Sequence, residues 1–151
     1  MKRIFVSTTS FASYSNDPLL LLKENNIFFE LNKKSRKLSP DEVPLLVGGF
    51  DGVIAGTEMY NKECLKKLPD LKVISRLGVG LDNIDMSQAK QQNILVLKTK
   101  TSPALAVAEL TLGIIIDLLR QISRQNFNLK TGLWEKHMGE LFSGKTLGII
   151  G

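Results

Sequence analysis

Arg76, Gly78, Val79 and Gly80, within the stretch SRLGVGLDNID at 75–85, are the residues whose types and spacing can most readily do chemistry. Two glycines one residue apart let backbone N–H groups converge on an anion with no Cβ in the way, and a guanidinium beside them adds a charge-assisted bond. Such a loop suits a carboxylate. The same residues also suit a tight turn that only needs a flexible backbone, and on the residues alone both readings stand. A dinucleotide fingerprint does not fit, because GxGxxG requires glycine where Asn83 stands.

Other chemistry-bearing residues read more plainly. Asp82 and Asp85 look like paired carboxylates but read better as a turn residue and a helix cap. Cys64 reads as core filler, Glu109 as a group that pairs or caps locally, and His137 as a surface or interface residue. One cysteine and one histidine in the chain rule out an internal disulfide framework, and no metal site is expected. A lone thiol fits a reducing, cytoplasmic setting. No signal peptide is expected, since the apolar IFV near the start gives way at once to STTS.

The net charge of +5 has its densest cluster in NKKSRK, 32–37, with no aromatic interleaved. It reads as a solvated loop or as a device attracting an anionic substrate, and no nucleic-acid motif accompanies it. The most apolar stretch, 104–119, is interrupted by Glu109, Thr111 and Asp117 and falls short of the about 20 residues a bilayer requires. It is expected to be a buried helix, and no membrane partner is expected.

These residues need elements to position them. With 151 residues, 43% hydrophobic and 23% charged, the chain has an ordinary globular composition. Short β-branched runs at 3–7, 27–31, 52–55, 72–76, 94–97 and 146–150 predict strands, several apolar on both faces, as in parallel sheets covered on two sides. Between them lie helix starts: Asp17 before Pro18, Ser39 with Pro40 and Glu42 in a capping box, Asp85 with Gln88, and Ser102 with Pro103. Pro44 predicts that the second helix is short. The succession is βαβαβ, the pattern of a doubly wound α/β sheet. Residues 103–130 predict one long helix, apolar nearly all round over its first five turns and therefore enclosed on most sides.

Three consecutive segments carry a resemblance: VISRLGVGLDNIDMSQAKQQNILVLKT, SPALAVAELTLGIIIDLLRQI and KTGLWEKHMGELFSGKTLGIIG. Together they closely resemble the first part of the NAD-dependent D-isomer-specific 2-hydroxyacid dehydrogenases, nearest the phosphoglycerate dehydrogenase branch. The likeness is strong over 51–151 and holds only in pattern before that.

That resemblance implies a flavodoxin-like substrate domain at 1–102, which in the family is completed by a returning C-terminal helix. It also implies that 103–151 supplies the linker helix and first strand of a Rossmann domain. Gly78, Val79 and Gly80 match the loop whose amides hold the substrate carboxylate, Val79 also lies near the nicotinamide, and Arg76 matches an arginine of the phosphoglycerate branch. Val107 matches a position lining the cofactor cleft, and Gly151 would begin the phosphate-binding fingerprint. Thr57 could donate a hydrogen bond to substrate, although Gly56 and Thr57 stand where several phosphoglycerate enzymes carry arginine and serine. Pro103 stands where some relatives have asparagine.

By the same resemblance the ligand is a small 2-hydroxy or 2-oxo acid, with D-3-phosphoglycerate of serine biosynthesis expected, NAD is the oxidant, and the assembly is a homodimer. No catalytic residue falls within the chain, so alone it is expected to be inactive. The alternative is a truncated, non-catalytic binding or oligomerisation module of flavodoxin-like fold; a signalling domain of that fold ranks last, since VSTTSFASYS lacks a receiver domain's carboxylates.

Overall fold

The computed structural model describes residues 1–150. It divides into two compact units, Met1–Ser102 and Pro103–Gly151. The first contains β1 (Arg3–Val6), α1 (Asp17–Glu24), β2 (Phe28–Leu31), α2 (Glu42–Val47), β3 (Gly52–Ala55), α3 (Lys62–Lys66), β4 (Val73–Arg76), α4 (Met86–Gln91) and β5 (Leu95–Lys98). Five of the six predicted strands are therefore present, each within a residue of its expected position.

The sheet is wholly parallel, in the order β2-β1-β3-β4-β5. This is the doubly wound, flavodoxin-like order. From β1 the chain crosses first to β2 on one side and later to β3 on the other, so connections diverge at the C-terminal ends of β1 and β3, where such sheets bind ligands. The register aligns Phe5, Val53, Ile74 and Val96 in one row. Their face packs under α2, α3 and α4, with Val43, Val47, Cys64, Leu65 and Ala89 in the same core.

The opposite face is less covered than the two-sided expectation. Helix α1 buries none of its residues, and an apolar groove of about 280 Å³ runs past Ile4, Ile27, Ile54 and Val73. The first two caps also differ in detail. Asn16 occupies the cap position of α1 without a side-chain bond, leaving Asp17 as the first helical residue. At α2 the serine hydroxyl takes no part, whereas the Glu42 carboxylate reaches back to accept from the Ser39 N–H at 2.9 Å. The same carboxylate binds Lys34 and Arg36 at 2.7 and 2.8 Å, organising the basic 32–37 segment and holding Glu42 far below the usual carboxylate range.

The second unit corrects three expectations. The long helix is α5 (Ala104–Arg120) followed by α6 (Ile122–Lys130), broken at Gln121, whose backbone is left-handed with φ 54°. The Asp117 carboxylate stabilises the break by accepting from the Ser123 N–H at 2.7 Å and hydroxyl at 2.6 Å. These bonds hold Asp117 below its ordinary value. Nor is α5 enclosed: none of its residues is buried, and Leu105, Leu110 and Leu118 are largely exposed. Residues 146–150 form no strand, because no neighbouring strand pairs with them, and Ile149 and Ile150 are exposed. Among the described residues, no helix is long and apolar enough to cross a membrane.

Candidate functional site at the C-terminal edge of the sheet

β3 and β4 leave the sheet side by side, from the paired residues Ala55 and Arg76. Beyond β4, Leu77 N–H still bonds the Ala55 carbonyl at 2.8 Å, and the chain then turns through Gly78. Gly78 has φ +148°, a conformation that favours glycine, and a Cβ there would displace the Arg76 guanidinium, whose Cζ lies 2.8 Å from that position. The Arg76 guanidinium folds back over this turn and donates to the Leu77 carbonyl through Nη1. Its Nε is buried and has no partner among the described residues.

The three amides of the predicted cradle are not equivalent. The Gly78 N–H is engaged by the Thr99 hydroxyl and the Arg76 carbonyl, each at 3.0 Å. Val79 and Gly80 N–H donate to no acceptor among the described residues. Two successive free amides beside a partly unpartnered guanidinium make a concentrated donor set for one carboxylate. Asp82 carries an opposing charge, with Oδ2 lying 3.3 Å from where a Gly80 Cβ would stand, but it is exposed to solvent.

Thr57 stands exposed at the tip of the neighbouring turn, with no hydrogen-bond partner for its N–H or hydroxyl among the described residues. Beneath it lies a buried polar network that sequence reading missed. The Glu58 carboxylate is 2% exposed and accepts from Gly56 N–H at 2.8 Å and Ser7 Oγ at 3.2 Å. Ser7 Oγ also lies 3.1 Å from the Tyr60 hydroxyl. Burial, with a further contribution from the Glu58 charge, pushes the Tyr60 phenol well above its ordinary value, although the bond to Ser7 opposes the shift.

Asn83 joins this network to the glycine loop. Its Nδ2 donates to the Gly56 and Glu58 carbonyls at 3.2 and 2.6 Å, while its own carbonyl accepts from Tyr60 N–H at 2.7 Å. A glycine at 83, as the dinucleotide pattern would require, would keep the bond to Tyr60 N–H but lose both side-chain bonds to the neighbouring turn. The available sequence signal was a glutamate one residue beyond a buried strand's turn, in AGTEMY, followed by an asparagine in a glycine-rich loop.

The remaining predicted residues fall elsewhere. Asp85 caps α4, accepting from Gln88 N–H at 2.8 Å. Cys64 is buried in the core, and burial pushes its thiol up to about 11. Val107 is exposed on α5, in the second unit. Glu109, expected to pair locally, has no partner among the described residues and faces solvent. His137, expected at a surface or interface, is half-buried: its side chain is 11% exposed, with Nε2 3.2 Å from Glu135 Oε2 and 3.0 Å from Asn128 Nδ2. Gly151 lies outside the described residues, and among those described no cluster of potential ligands could hold a metal ion.

The family model described as "D-isomer specific 2-hydroxyacid dehydrogenase, catalytic domain" matches residues 7–147. A hydroxypyruvate reductase of Thermotoga maritima is 37% identical over 145 residues, covering 90% of this chain and 46% of that relative. The human D-3-phosphoglycerate dehydrogenase is 36% identical over 121 residues, covering 78% of this chain and 23% of its own length. Among solved structures, the NAD+-bound 3-phosphoglycerate dehydrogenase of Entamoeba histolytica superposes with a TM-score of 0.69 at 26% identity, covering 92% of this chain and 42% of that one. The chain thus spans less than half the length of each of these proteins.

Proposed function

The chain belongs to the D-isomer specific 2-hydroxyacid dehydrogenases, and from that membership we propose that it is the substrate-recognising portion of an NAD-dependent oxidoreductase acting on the CH–OH group of a D-2-hydroxy acid. The observation that carries this reading is the pair of free amides at Val79 and Gly80, on the turn over which the Arg76 guanidinium folds.

The substrate carboxylate accepts from both amides, and Arg76 supplies the balancing charge and a further donor. Anchoring the carboxylate fixes C2, the carbon next to it, and so places the reacting centre at the rim of the sheet. Thr57, on the adjacent turn, meets the rest of the molecule. Val79 is an exposed apolar side chain on the same loop, a surface that fits the face of a nicotinamide ring. When bound, NAD supplies the hydride acceptor for oxidation at C2. The chain's one histidine, His137, is engaged with Asn128 and Glu135, so we assign it no proton transfer and expect the 151-residue chain to bind acid without turning it over.

Relatives named for D-3-phosphoglycerate and for hydroxypyruvate support a three-carbon acid with oxygen on C3. D-3-phosphoglycerate and D-glycerate are therefore the two candidate substrates. Calorimetric titration tests the site: Arg76→Ala is expected to weaken acid binding roughly tenfold or more, the worth of a charged hydrogen bond. Unchanged affinity in that variant contradicts the assignment.

The exposed apolar residues of α5 support self-association, and we propose a homodimer in the cytoplasm. They also favour a second reading, a non-catalytic oligomerisation module. That reading predicts a dimer by light scattering with no acid binding at all.

A further inference from the structure

We propose that Glu58 makes the turn after β3 selective for an acid whose C3 substituent is a neutral hydroxyl, and against the phosphorylated acid of the same carbon length. The inference rests on the reading that Val79 and Gly80 hold the substrate carboxylate.

Glu58 is 2% exposed, and its two hydrogen bonds, to Gly56 N–H and Ser7 Oγ, are both to groups that can donate. An ionised carboxylate can accept both bonds. No lysine or arginine among the described residues forms an ion pair with it. Its negative charge therefore stands uncompensated directly beneath the turn that carries Thr57.

A cation cannot be supplied from the turn's first position. A Cβ at Gly56 would come 2.9 Å from Thr8 Cβ and 3.1 Å from each Glu58 carboxylate oxygen. The packing of Thr8 and Glu58 thus excludes any longer side chain, arginine included. What remains at the tip is Thr57, with an exposed hydroxyl and a free N–H. A neutral hydroxyl can donate to and accept from threonine. A phosphate, carrying about −1.5 to −2 charge, would gain the same donors but face the Glu58 charge across a partly desolvated turn.

Asn83 makes this discrimination possible by holding the two turns in one arrangement through Gly56 and Glu58. They rise from neighbouring strands, whose separation of about 4.8 Å is the scale on which a three-carbon acid reaches from one to the other. An acid anchored by its carboxylate at Val79 and Gly80 then presents its C3 group to Thr57. The specificity is repulsive in origin, a charge placed against the wrong ligand.

The test titrates the 151-residue chain and Glu58→Gln with D-glycerate and with D-3-phosphoglycerate, following the Val79 and Gly80 amide resonances. The side-chain amide of this variant keeps an oxygen for the Gly56 N–H while removing the charge. The parent chain is expected to bind D-glycerate about tenfold or more tightly than D-3-phosphoglycerate. Glu58→Gln is expected to narrow that ratio by tightening the phosphorylated acid alone. Thr57→Arg, at an exposed position clear of the buried network, is expected to shift the ratio the same way and serves if the buried variant does not fold. The proposal is overturned if both acids bind through Val79 and Gly80 and the phosphorylated one binds as tightly or more so in the parent chain. It is also overturned if neither substitution alters the ratio. If neither acid moves those two amides, the carboxylate cradle itself is wrong, and this proposal falls with it.

Discussion

The two units of the chain treat their apolar residues in opposite ways. In Met1–Ser102 the helices α2, α3 and α4 bury Val43, Val47, Leu65 and Ala89 against the sheet. In Pro103–Gly151 the apolar residues of α5 stay exposed, and the one buried residue of α6 is the polar Asn128. On the face under α2, α3 and α4 the first unit contains the partners it needs, whereas α5 is built for a cover that the described residues do not provide. The candidate site lies wholly in the first unit, where loops rest on a packed core and their polar groups are held by neighbours.

Paired truncations break this contrast most strongly. Leu65→Ala, at 0% exposure, is expected to cost about 2–5 kcal/mol in urea unfolding. Leu110→Ala, at 64% exposure, is expected to change stability by less than about 0.5 kcal/mol while weakening any self-association. Equal costs would show that α5 contributes to a core after all.

Asn83→Ala comes next, since it leaves the Gly56 and Glu58 carbonyls without their donor. The expected loss is about 1–3 kcal/mol, together with weaker acid binding; a variant that unfolds more easily but binds normally would detach the network from the site. On the alkaline side, a thiol held neutral by burial stabilises the fold fully below its ordinary value of 9.0 and loses that contribution as pH rises to about 11. Cys64→Ala is expected to flatten unfolding free energy across this window, leaving the slope due to Tyr60. An unchanged profile would mean that the thiol ionises as freely folded as unfolded.

The smallest effect belongs to the second unit. Asp117 is held below its ordinary 3.8 by Ser123, so its contribution is present above that value and fades as pH falls through the lowered one. Circular dichroism should record a modest loss of helix at low pH that Asp117→Asn shows already at neutral pH. A pH-independent signal in the parent chain would remove Asp117 from the α5–α6 junction.

The fold was legible because its signals are local. Parallel strands such as GVIA at 52–55 announce themselves by being apolar on both faces, and Asp85 caps α4 through bonds to its nearest neighbours. The glycine loop was legible as a candidate cradle, but not the division of labour within it, because Thr99, which engages Gly78, lies 21 residues away. Glu58 and Asn83 were hidden for the same reason: their roles exist only once β1, β3 and β4 lie side by side. The break at Gln121 depends on Asp117 reaching Ser123, and nothing in RQIS marks it. Residues 146–150 have a strand's composition without a strand's neighbour, and composition alone does not make a ladder.

Whether Val79 and Gly80 hold a carboxylate is read out by a proton–nitrogen correlation spectrum of the 151-residue chain titrated with D-glycerate. Saturable shifts are expected to be largest at the Val79 and Gly80 amides, with Gly78 moving less because Thr99 already holds it, and with the response lost in Arg76→Ala. Saturable shifts centred elsewhere, or none at these two amides at saturating acid, would contradict that assignment.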